Sequence, residues 1–392
     1  MKKLLIINHY AGAPKYGMEY RHYNIAKELV LKGVEVCIIA SSYSHLRKEP
    51  DCREEMIDGI QFKWIKTPSY QNFGIKRLLN MIIFSVKMFF TTNSFFHPDT
   101  ILISSPSPFP ILNSLYLKRK YKAKLIYEIR DVWPQSLIEL KGMSKYNPLI
   151  LFLNWLDFLG IKYADFIMSP LAHINLYLKE KGFDKKVIIV PNGISTIKIN
   201  KDLTNQLNAS CFVVGYGGTL GDSNSIMNLL EAALLLKENK GVKFKIVGGG
   251  EKMPLIRNFI SENQLDNVKL YGRVDQQNLF EILNNCDVLY KGNPKKSLYK
   301  YGISSIKMVE YLLLRKPIID ASYGVDIVGK SNSGITVLHE NSEDLVNGIL
   351  EFKQLDKKAL TQMGENGFEY VKQNYLYSAS VQKMLTTINR EI

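Results

Sequence analysis

The segment from Gly215 to Ser225 combines glycines with hydroxyl side chains, directly ahead of a helical pattern that starts near Ile226. Glycine lets the backbone approach a ligand closely, and the N–H groups of a helix N-terminus bind anions. Two further glycine segments, Gly248-Gly249-Gly250 and Gly272-Arg273, follow the next two strand patterns. Because the carboxyl ends of parallel strands meet at one edge of a sheet, the three segments predict a cradle for a diphosphate. The candidate contacts are Gly218, Thr219, Asn224, Gly249 and Arg273.

A carboxylate among apolar residues marks another candidate site. A helix is predicted to begin near Ser305, just after Ser304, and it carries Lys307 and Glu310. Glu310 has Met, Val and Leu neighbours, so we expect it to be partly buried and to need polar partners. A ribose diol is a suitable partner, because two hydroxyls can donate to one carboxylate. The alternative is an ion pair with Lys307, three residues earlier on the same helical face.

Two segments of the first half also follow predicted strands. The loop at residues 8–19 contains Gly12 and Gly17, but its spacing is not GxGxxG, so a dinucleotide fingerprint is absent. The alternative for this loop is a flexible surface segment. Arg130 and Asp131 follow another strand, and Arg suits phosphate or carboxylate groups while Asp suits sugar hydroxyls. The alternative for these two residues is an internal Arg–Asp pair that holds the loop.

The elements that must position these residues are short β-rich runs that alternate with longer helical patterns. This alternation implies parallel sheets with crossover helices, and two such sets predict two doubly wound domains. The break is expected between Asn192 and Ser210, where the sequence becomes polar and rich in Asn and Lys, and the ligand site is expected in the cleft between the domains. The predicted strands are 4–7, 34–40, 60–65, 100–103, 124–128, 166–169, 187–190, 212–215, 243–247, 268–271, 288–290, 317–320 and 334–337, and the predicted helices include 20–32, 226–239 and 306–314.

The excess of basic residues is concentrated in the first half of the chain. The 392 residues carry 51 Lys plus Arg and 37 Asp plus Glu, a net charge of +14. Residues 1–195 hold 27 basic and 16 acidic side chains, whereas residues 196–392 hold 24 and 21. This asymmetry favours a polyanionic partner for the first half. The basic residues have little aromatic interleaving and match no nucleic-acid-binding motif, so nucleic acid is not the predicted partner.

Residues 73–90 form a long apolar helical pattern whose only charges are Lys76, Arg77 and Lys87, and a basic run follows at 118–124. This composition is typical of a helix that lies in an anionic membrane interface. The alternative is a buried helix of the sheet domain with a solvated basic turn. No stretch reaches the roughly 18 uninterrupted apolar residues of a transmembrane helix. The four cysteines are scattered, which predicts the reduced thiols of a cytosolic protein.

Taken together, these segments resemble the retaining GT-B glycosyltransferases of family 4. They are similar in particular to the bacterial members that add an amino-deoxysugar, such as N-acetyl-fucosamine, during capsule or O-antigen assembly. The resemblance extends over nearly the whole chain. The matching segments are residues 9–21, 128–134, 190–194, 217–221, 246–250 and 307–317.

The resemblance implies an α/β fold with two Rossmann-like doubly wound domains that face each other across a cleft. Residues 1–195 would form the acceptor-binding domain and residues 196–372 the nucleotide-sugar-binding domain. Residues 373–392 would form a C-terminal helix that packs back toward the first domain.

The resemblance also implies roles for single residues. Glu310 matches the second Glu of the family's Glu-x7-Glu element, which holds the nucleotide ribose, whereas Gly302 replaces the first. Ser304 and Lys307 keep two positions of the related Ser-Pro-Asn-Lys motif. The Arg and Lys that contact the diphosphate in many members fall near Thr219 and Asn224, neither of which is basic. We therefore expect Lys307 or Arg273 to supply the missing positive charge.

The implied reaction is transfer of a sugar, with retention, from a UDP-sugar to a polyprenyl-diphosphate-linked saccharide. No protein nucleophile, metal or other cofactor is expected, and Arg130, Asp131 and Lys307 are the expected catalytic groups. The residues expected to contact the donor are Gly12, Gly17, Gly218, Thr219, Asn224, Gly249, Arg273, Ser304 and Glu310. The expected location is cytoplasmic, on the inner face of the cell membrane. The alternatives are a nucleotide-sugar epimerase on the same fold and a catalytically degenerate partner subunit.

Overall fold

A computed structural model of the protein describes residues 1–17, 20–45, 47–70, 74–91, 96–105, 107–195 and 211–389, without the side chain of Leu140. The chain divides into two compact units. Unit 1 comprises Met1–Ser195 with Tyr377–Ile392, and unit 2 comprises Thr196–Leu376. The sequence prediction placed its boundaries after residues 195 and 372. Phe73 and most of the polar break predicted between Asn192 and Ser210 lie outside the described residues.

Unit 1 contains one mixed sheet with helices packed on it. Its strands are β1 Lys3–Ile7, β2 Glu35–Ser41, β3 Glu54–Ile57, β4 Ile60–Ile65, β5 Thr100–Ser104, β6 Lys124–Glu128, β7 Phe166–Ser169 and β8 Val187–Ile189. Its first six helices are α1 Arg21–Leu31, α2 Ile75–Thr91, α3 Ile111–Tyr121, α4 Gln135–Lys141, α5 Pro148–Tyr163 and α6 Ile174–Glu180. The strand order is β3-β4-β2-β1-β5-β6-β7-β8, and every neighbouring pair except β3–β4 is parallel.

The edge strand β3 is not among the strands predicted from the sequence. It pairs with β4 in antiparallel register, with Ile57 opposite Ile60. The two turn residues Asp58 and Gly59 have φ values of 48° and 78°. Positive φ at both central residues is the geometry of a two-residue hairpin turn, and Asp-Gly is a strong signal for it. The charged residues of β3 hid its strand pattern, and the hairpin was not predicted, although the Asp58-Gly59 dipeptide was an available signal for it.

Unit 2 contains a six-stranded, fully parallel sheet. Its strands are β9 Phe212–Gly217, β10 Val242–Val247, β11 Val268–Gly272, β12 Val288–Asn293, β13 Ile318–Ser322 and β14 Gly334–Thr336, in the order β11-β10-β9-β12-β13-β14. Its helices are α7 Ile226–Leu235, α8 Met253–Glu262, α9 Gln276–Asn284, α10 Ile306–Leu313, α11 Ile327–Ser331, α12 Ser342–Gln354 and α13 Lys357–Asn374. The order reverses at β9, so the ends of β9 and its neighbours are the expected place for a ligand in a sheet of this type.

The last helix, α14 Tyr377–Asn389, packs into the core of unit 1. Its buried residues, among them Val381 and Met384, share one apolar cluster with Ile25 and Leu29 of α1. A hydrogen bond of 2.9 Å from Lys32 Nζ to Gln382 Oε1 joins the same two helices at the surface. The sequence prediction began the C-terminal helix at residue 373, whereas α13 continues to Asn374 and α14 begins at Tyr377.

Helix α2 is buried on one face and exposed on the other. Met81, Phe84 and Met88 face the sheet and are buried. The exposed apolar side chains of α2 are Ile75, Leu79, Ile82, Val86, Phe89 and Phe90, and Phe90 retains 80% of its accessible surface. Among the helices of the described residues, none is long and apolar enough to cross a membrane.

Candidate functional site

Three glycine segments of unit 2 are joined by backbone hydrogen bonds beyond the ends of β9, β10 and β11. The Gly218 N–H donates to the Val247 carbonyl at 2.9 Å, and the Leu220 N–H donates to the Gly249 carbonyl at 3.1 Å. The Gly248 N–H donates to the Gly272 carbonyl at 2.8 Å. The sequence placed these segments at one sheet edge, and in the structure they form one continuous layer of backbone.

Glycine is required at two positions of this layer. Gly218 and Gly248 both have a φ of +148°, a backbone conformation that residues with a Cβ rarely adopt. A Cβ on Gly248 would lie 1.8 Å from the Gly218 carbonyl oxygen. A Cβ on Gly218 would lie 2.7 Å from Lys307 Cε. Gly248 therefore allows its loop to lie directly against the backbone of Gly218. Gly218 in turn leaves room for the side chain of Lys307.

Lys307 reaches this layer from the first turn of α10. The Ser305 side chain caps that helix by accepting a hydrogen bond from the Met308 N–H. Lys307 Nζ donates to Tyr216 Oη at 2.9 Å and to Asn224 Oδ1 at 2.8 Å, and it lies 4.3 Å from the centre of the Tyr216 ring. Asn224 was predicted to stand where relatives place a basic residue. The structure brings a lysine from another element to that residue.

Burial lowers the pKa of Lys307 to about 7, with a further lowering by Lys291, although Glu310 opposes the shift. Lys291 is itself buried in β12, where Nζ donates to Asn293 Oδ1 at 3.0 Å and lies 3.5 Å from Asp320 Oδ1. Near neutral pH the Lys307 amine therefore exists in both charge states. A nearby anion would favour its charged form.

Arg273 is the second base at the glycine layer. Its side chain is exposed and lies against Gly249, where an added Cβ would be 2.6 Å from Arg273 Nε. Gly249, Arg273, Gly218, Asn224 and Lys307 are thus gathered in one region of unit 2. Thr219 belongs to the same region, and its carbonyl accepts hydrogen bonds from Tyr216 Oη at 2.6 Å and from Asn224 Nδ2 at 3.0 Å.

Glu310 and Ser304 lie on and just before α10. Glu310 is half-buried, as predicted, and its Oε1 accepts a long hydrogen bond of 3.4 Å from Gln276 Nε2 of α9. Ser304 is half-buried too. Gly302, at the position that the family resemblance assigns to the first Glu, has a φ of +109°, so it forms a turn where a side chain would be strained.

Two tyrosines that support the glycine layer were not predicted. Tyr216 Oη accepts from Lys307 and donates to the Thr219 carbonyl, so it links the base to the loop. Tyr311 Oη accepts from the Gly217 N–H at 2.8 Å and donates to the Gly217 carbonyl at 3.1 Å. The position of Tyr216 inside the glycine segment could have indicated that it supports the site. Tyr311 lies 94 residues from Gly217, and no local sequence pattern predicts their contact.

Unit 1 holds a buried charged cluster at the end of β6. Arg21 Nε donates to Glu128 Oε1 at 2.8 Å, and His22 Nε2 donates to Glu128 Oε2 at 2.7 Å. Asn8 Nδ2 donates to His22 Nδ1 at 2.8 Å, which fixes the imidazole tautomer. Burial acts to raise the pKa of Glu128, but Arg21 and His22 outweigh it and hold the pKa well below its ordinary value. Glu128 is therefore a carboxylate.

The same cluster anchors the segment that follows β8. Arg21 Nη2 donates to the Val190 carbonyl at 2.6 Å, and Nη1 donates to the Pro191 carbonyl at 2.8 Å and to Asn192 Oδ1 at 3.2 Å. Three sequence segments that are far apart thus meet at one arginine. All three belong to the segments that carry the family resemblance, but no sequence pattern connects them.

Arg130 and Asp131 lie directly beyond this cluster. Arg130 is half-buried, its backbone N–H donates to Ser105 Oγ at 3.0 Å, and its charge helps to lower the pKa values of Glu128 and His22. Asp131 is exposed. The structure therefore places both residues at the carboxyl edge of the unit 1 sheet, as the sequence predicted.

Gly12 and Gly17 belong to the loop after β1. Gly12 is buried, and Gly17 has a φ of +109° and forms an isolated bridge with Arg47. Arg47 Nε donates to the Ala11 carbonyl at 3.0 Å, so the loop is fastened to the segment after β2. Met18 and Glu19 lie outside the described residues. These two glycines are in unit 1, whereas the other predicted donor contacts are in unit 2.

A metal site is not visible in the described part of the chain. No group of three or more His, Cys, Asp or Glu side chains there is arranged to hold a metal ion. The four cysteines carry no disulfide bond, and Cys37 and Cys286 are buried.

Comparison with known proteins matches each of the two units to a family model of glycosyltransferases. The model of the family described as Glycosyltransferase Family 4 matches residues 16–198, and that of Glycosyl transferases group 1 matches residues 211–354. Among curated proteins, an uncharacterized glycosyltransferase of Methanocaldococcus jannaschii is 26% identical over 54% of this chain and 57% of its own length. A poly(ribitol-phosphate) alpha-N-acetylglucosaminyltransferase of Staphylococcus aureus is 25% identical over 45% of this chain and 35% of its own length. These matches thus span less than two thirds of either relative.

Solved structures share the fold over the whole chain. The structure of Anabaena HepE in complex with UDP-glucose covers 100% of both chains with a TM-score of 0.66 and 15% identity. The expected architecture of two α/β domains with parallel sheets is therefore confirmed. The two glycosyltransferase models match in sequence order, one in each unit, and the chain shares the GT-B fold, so it is similar to GT-B glycosyltransferases of the family 4 type.

Proposed function

We propose that this protein transfers a sugar from a UDP-sugar to a polyprenyl-diphosphate-linked saccharide, with retention at the anomeric carbon. The observation that carries the proposal is the meeting of Lys307 and Arg273 at the three glycine segments of unit 2. Backbone N–H groups, a helix N-terminus and two bases form a suitable site for a diphosphate. The match of unit 2 to a glycosyltransferase model supports the assignment of this diphosphate to a nucleotide-sugar.

The main catalytic task of unit 2 is to stabilise the departing diphosphate. Lys307 and Arg273 supply positive charge where negative charge develops, and the fixed glycine backbone positions them in advance. Lys307 is held by Tyr216 and Asn224, so its amine needs little reorganisation when the donor arrives. Glu310 would accept hydrogen bonds from the ribose hydroxyls and thereby orient the nucleotide.

Unit 1 would hold the acceptor. Arg130 and Asp131 stand at the carboxyl edge of its sheet, above the Arg21–Glu128–His22 cluster that fixes the end of β6. Arg130 suits an anionic acceptor group, and Asp131 suits a sugar hydroxyl. No resident metal or other cofactor is part of the proposal, so transfer should persist in EDTA.

Two relatives support the choice of donor and product. Anabaena HepE is described in complex with UDP-glucose, which supports a UDP-sugar. The Staphylococcus aureus relative is named an alpha-N-acetylglucosaminyltransferase of poly(ribitol-phosphate), which supports an N-acetylated sugar and a bacterial surface polymer. We therefore propose an N-acetylated amino or deoxyamino sugar as the group transferred in surface polysaccharide synthesis.

A membrane-facing surface on unit 1 fits a lipid-linked acceptor. Helix α2 exposes Ile82 and Phe89, and the Phe89 ring lies 6.0 Å from that of Tyr116 on α3. Exposed aromatic residues of α5, including Trp155, add to the apolar surface of this unit. Helix α2 carries bases and no acid, and residues 118–124 add a basic run in which Lys118 is engaged with Asp165. This combination favours peripheral contact with the anionic inner face of a cell membrane.

The decisive experiment incubates the full chain with a panel of UDP- and GDP-sugars and a polyprenyl-diphosphate-linked acceptor, and follows products by mass spectrometry. Transfer to the lipid-linked acceptor from a UDP-N-acetyl sugar is expected, and NMR of the product would give the anomeric configuration. Transfer from none of the donors would overturn the proposal. Epimerisation of the UDP-sugar without acceptor would instead identify an isomerase, and failure to bind any nucleotide would favour a partner subunit.

A further inference from the structure

A groove runs along α2 on the side opposite to its neighbour α3. It consists of two adjoining cavities of about 610 and 400 Å³. The larger lies between α2 and the segment that follows β4, and the smaller lies between the end of α2 and strands β3 and β4. Volumes of about 300–1,000 Å³ are typical of sites for small organic ligands. The larger cavity is lined by Lys66, Thr67, Pro68, Ile83, Val86 and Lys87.

The groove is apolar inside and basic at its rim. Ile83, Val86 and Pro68 supply apolar surface to the larger cavity, and Phe90 extends that surface into the smaller one. Lys87 and Lys66 border both cavities, and Lys87 Nζ donates to the Lys66 carbonyl at 2.8 Å. The acid in the smaller cavity, Glu54, lies 2.9 Å from Lys63 Nζ and is neutralised by it.

One end of the groove lies at the carboxyl edge of the sheet. Helix α2 connects the parallel strands β4 and β5, so it starts at that edge and runs back along the sheet. Thr67 and Asn80 meet there, since Asn80 Nδ2 donates to Thr67 Oγ1 at 2.9 Å and Asn80 Oδ1 lies 2.5 Å from His9 Nε2. Arg77 is at the same end, with Nε 2.9 Å from Tyr10 Oη.

We propose that this groove binds the hydrocarbon chain of an isoprenoid diphosphate, with the diphosphate directed toward Arg77 at the sheet edge. An apolar groove with bases at its rim matches a hydrocarbon chain that carries an anionic head group. The inference rests on the proposed function, because it assigns the lipid part of the acceptor to a site in unit 1. It differs from the proposed membrane contact, which uses Ile82 and Phe89 of α2.

Two neighbouring isoleucines separate the two uses of α2. Ile83 lines the groove, whereas Ile82 is exposed, and successive residues of an α-helix point about 100° apart. Ile83→Ser and Ile82→Ser therefore make the same chemical change on two faces of one helix. Val86→Ser is a second groove variant at an exposed position, and it serves if Ile83→Ser fails to fold.

The test measures binding of farnesyl diphosphate and isopentenyl diphosphate to the full chain by calorimetry, without vesicles or donor. Wild type and Ile82→Ser should bind farnesyl diphosphate equally and more tightly than isopentenyl diphosphate. Ile83→Ser or Val86→Ser should weaken farnesyl diphosphate binding about tenfold, the scale expected when apolar groups are removed from a binding pocket, and leave isopentenyl diphosphate unchanged. Ile82→Ser should reduce sedimentation with phosphatidylglycerol vesicles.

Three results would overturn the proposed role of the groove. The first is that wild type binds the two diphosphates equally tightly, and the second is that Ile82→Ser loses as much affinity for farnesyl diphosphate as the groove variants do. The third is that the groove variants lose binding only when vesicles are present, which would make bilayer lipid the occupant. The outcome is independent of catalysis. A protein that transfers no sugar but binds farnesyl diphosphate more tightly than isopentenyl diphosphate would refute the proposed function. The proposal that the groove binds an isoprenoid would still stand.

Discussion

Lys307 Nζ lies 2.8 Å from Asn224 Oδ1, so a base contributed by α10 reaches the loop position to which the family resemblance assigns a basic residue. Replacing Lys307 with Met should weaken UDP-sugar binding by about 1–3 kcal/mol, the scale of a charged hydrogen bond. Calorimetric titration with the UDP-sugar that the enzyme uses would measure this. Lys330→Met, at an exposed position of α11, is the matched control and should bind like wild type. Equal affinities in the two variants would contradict the role of Lys307.

Donor affinity should depend on pH because burial, followed by the charge of Lys291, lowers the pKa of Lys307 to about 7. The diphosphate prefers the protonated amine, so affinity should be highest below pH 7. It should fall above pH 7 by up to about tenfold per pH unit, as expected for one proton. Dissociation constants between pH 6 and 9 would test this, and Lys307→Met should abolish the slope. A slope that persists in that variant assigns the titration to another group.

Glu310→Ala should weaken nucleotide binding by about 1–3 kcal/mol, because the ribose hydroxyls lose a charged acceptor. The same substitution should have no effect on 2′,3′-dideoxy-UDP, which lacks those hydroxyls. Comparing UDP with the dideoxy analogue in both proteins isolates the ribose contact. An equal loss with both nucleotides would indicate that Glu310 acts on the fold of α10 and not on the ribose.

Gly248→Ala should destabilise unit 2 more than Gly272→Ala does. Both glycines have positive φ, so both substitutions introduce strain, but only a Cβ at Gly248 collides with another atom, the Gly218 carbonyl oxygen at 1.8 Å. Space around Gly272 is open. We expect about 1 kcal/mol for Gly272→Ala and at least about 2 kcal/mol for Gly248→Ala, measured as the free energy of unfolding in urea. Equal losses of unfolding free energy in the two variants would show that the loops at Gly218 and Gly248 can move apart at little cost.

Glu128→Gln should strongly destabilise unit 1, since it leaves the buried guanidinium of Arg21 without its carboxylate. Breaking one partner of a buried ion pair costs about 3–5 kcal/mol. The double variant Arg21→Met with Glu128→Gln should recover part of that loss, because no buried charge remains. Urea unfolding followed by tryptophan fluorescence is suitable, since all three tryptophans lie in residues 1–195. A single variant as stable as wild type would refute the ion pair's contribution.

The periodic parts of the fold were predictable from sequence, and the contacts between distant segments were not. Buried runs such as β2 and β5 were recognisable as strands because they are apolar and rich in β-branched residues. The short charged strand β3 had no such pattern and was missed, although its Asp58-Gly59 turn was a signal that could have predicted the hairpin.

The candidate site followed the same rule. Glycine segments at strand ends predicted the cradle of unit 2, because parallel topology alone brings strand ends together. The start of α10 was predicted, and the family resemblance led us to expect Lys307 or Arg273 to supply the missing charge. The direct contact between Lys307 and Asn224, which are 83 residues apart, followed from no local pattern. The Arg21–Glu128 pair spans 107 residues and was likewise invisible until the sheet order was known.

The return of α14 to unit 1 has a consequence for how the chain is made. The apolar surface of α1 at Ile25 and Leu29 is covered by Val381 and Met384, which emerge from the ribosome only after all of unit 2. Unit 1 must therefore wait, with part of its core uncovered, while roughly half the chain is synthesised. A chain interrupted just before Tyr377 would keep a formed second unit and an incomplete first one, which makes it a natural substrate for chaperones and proteases.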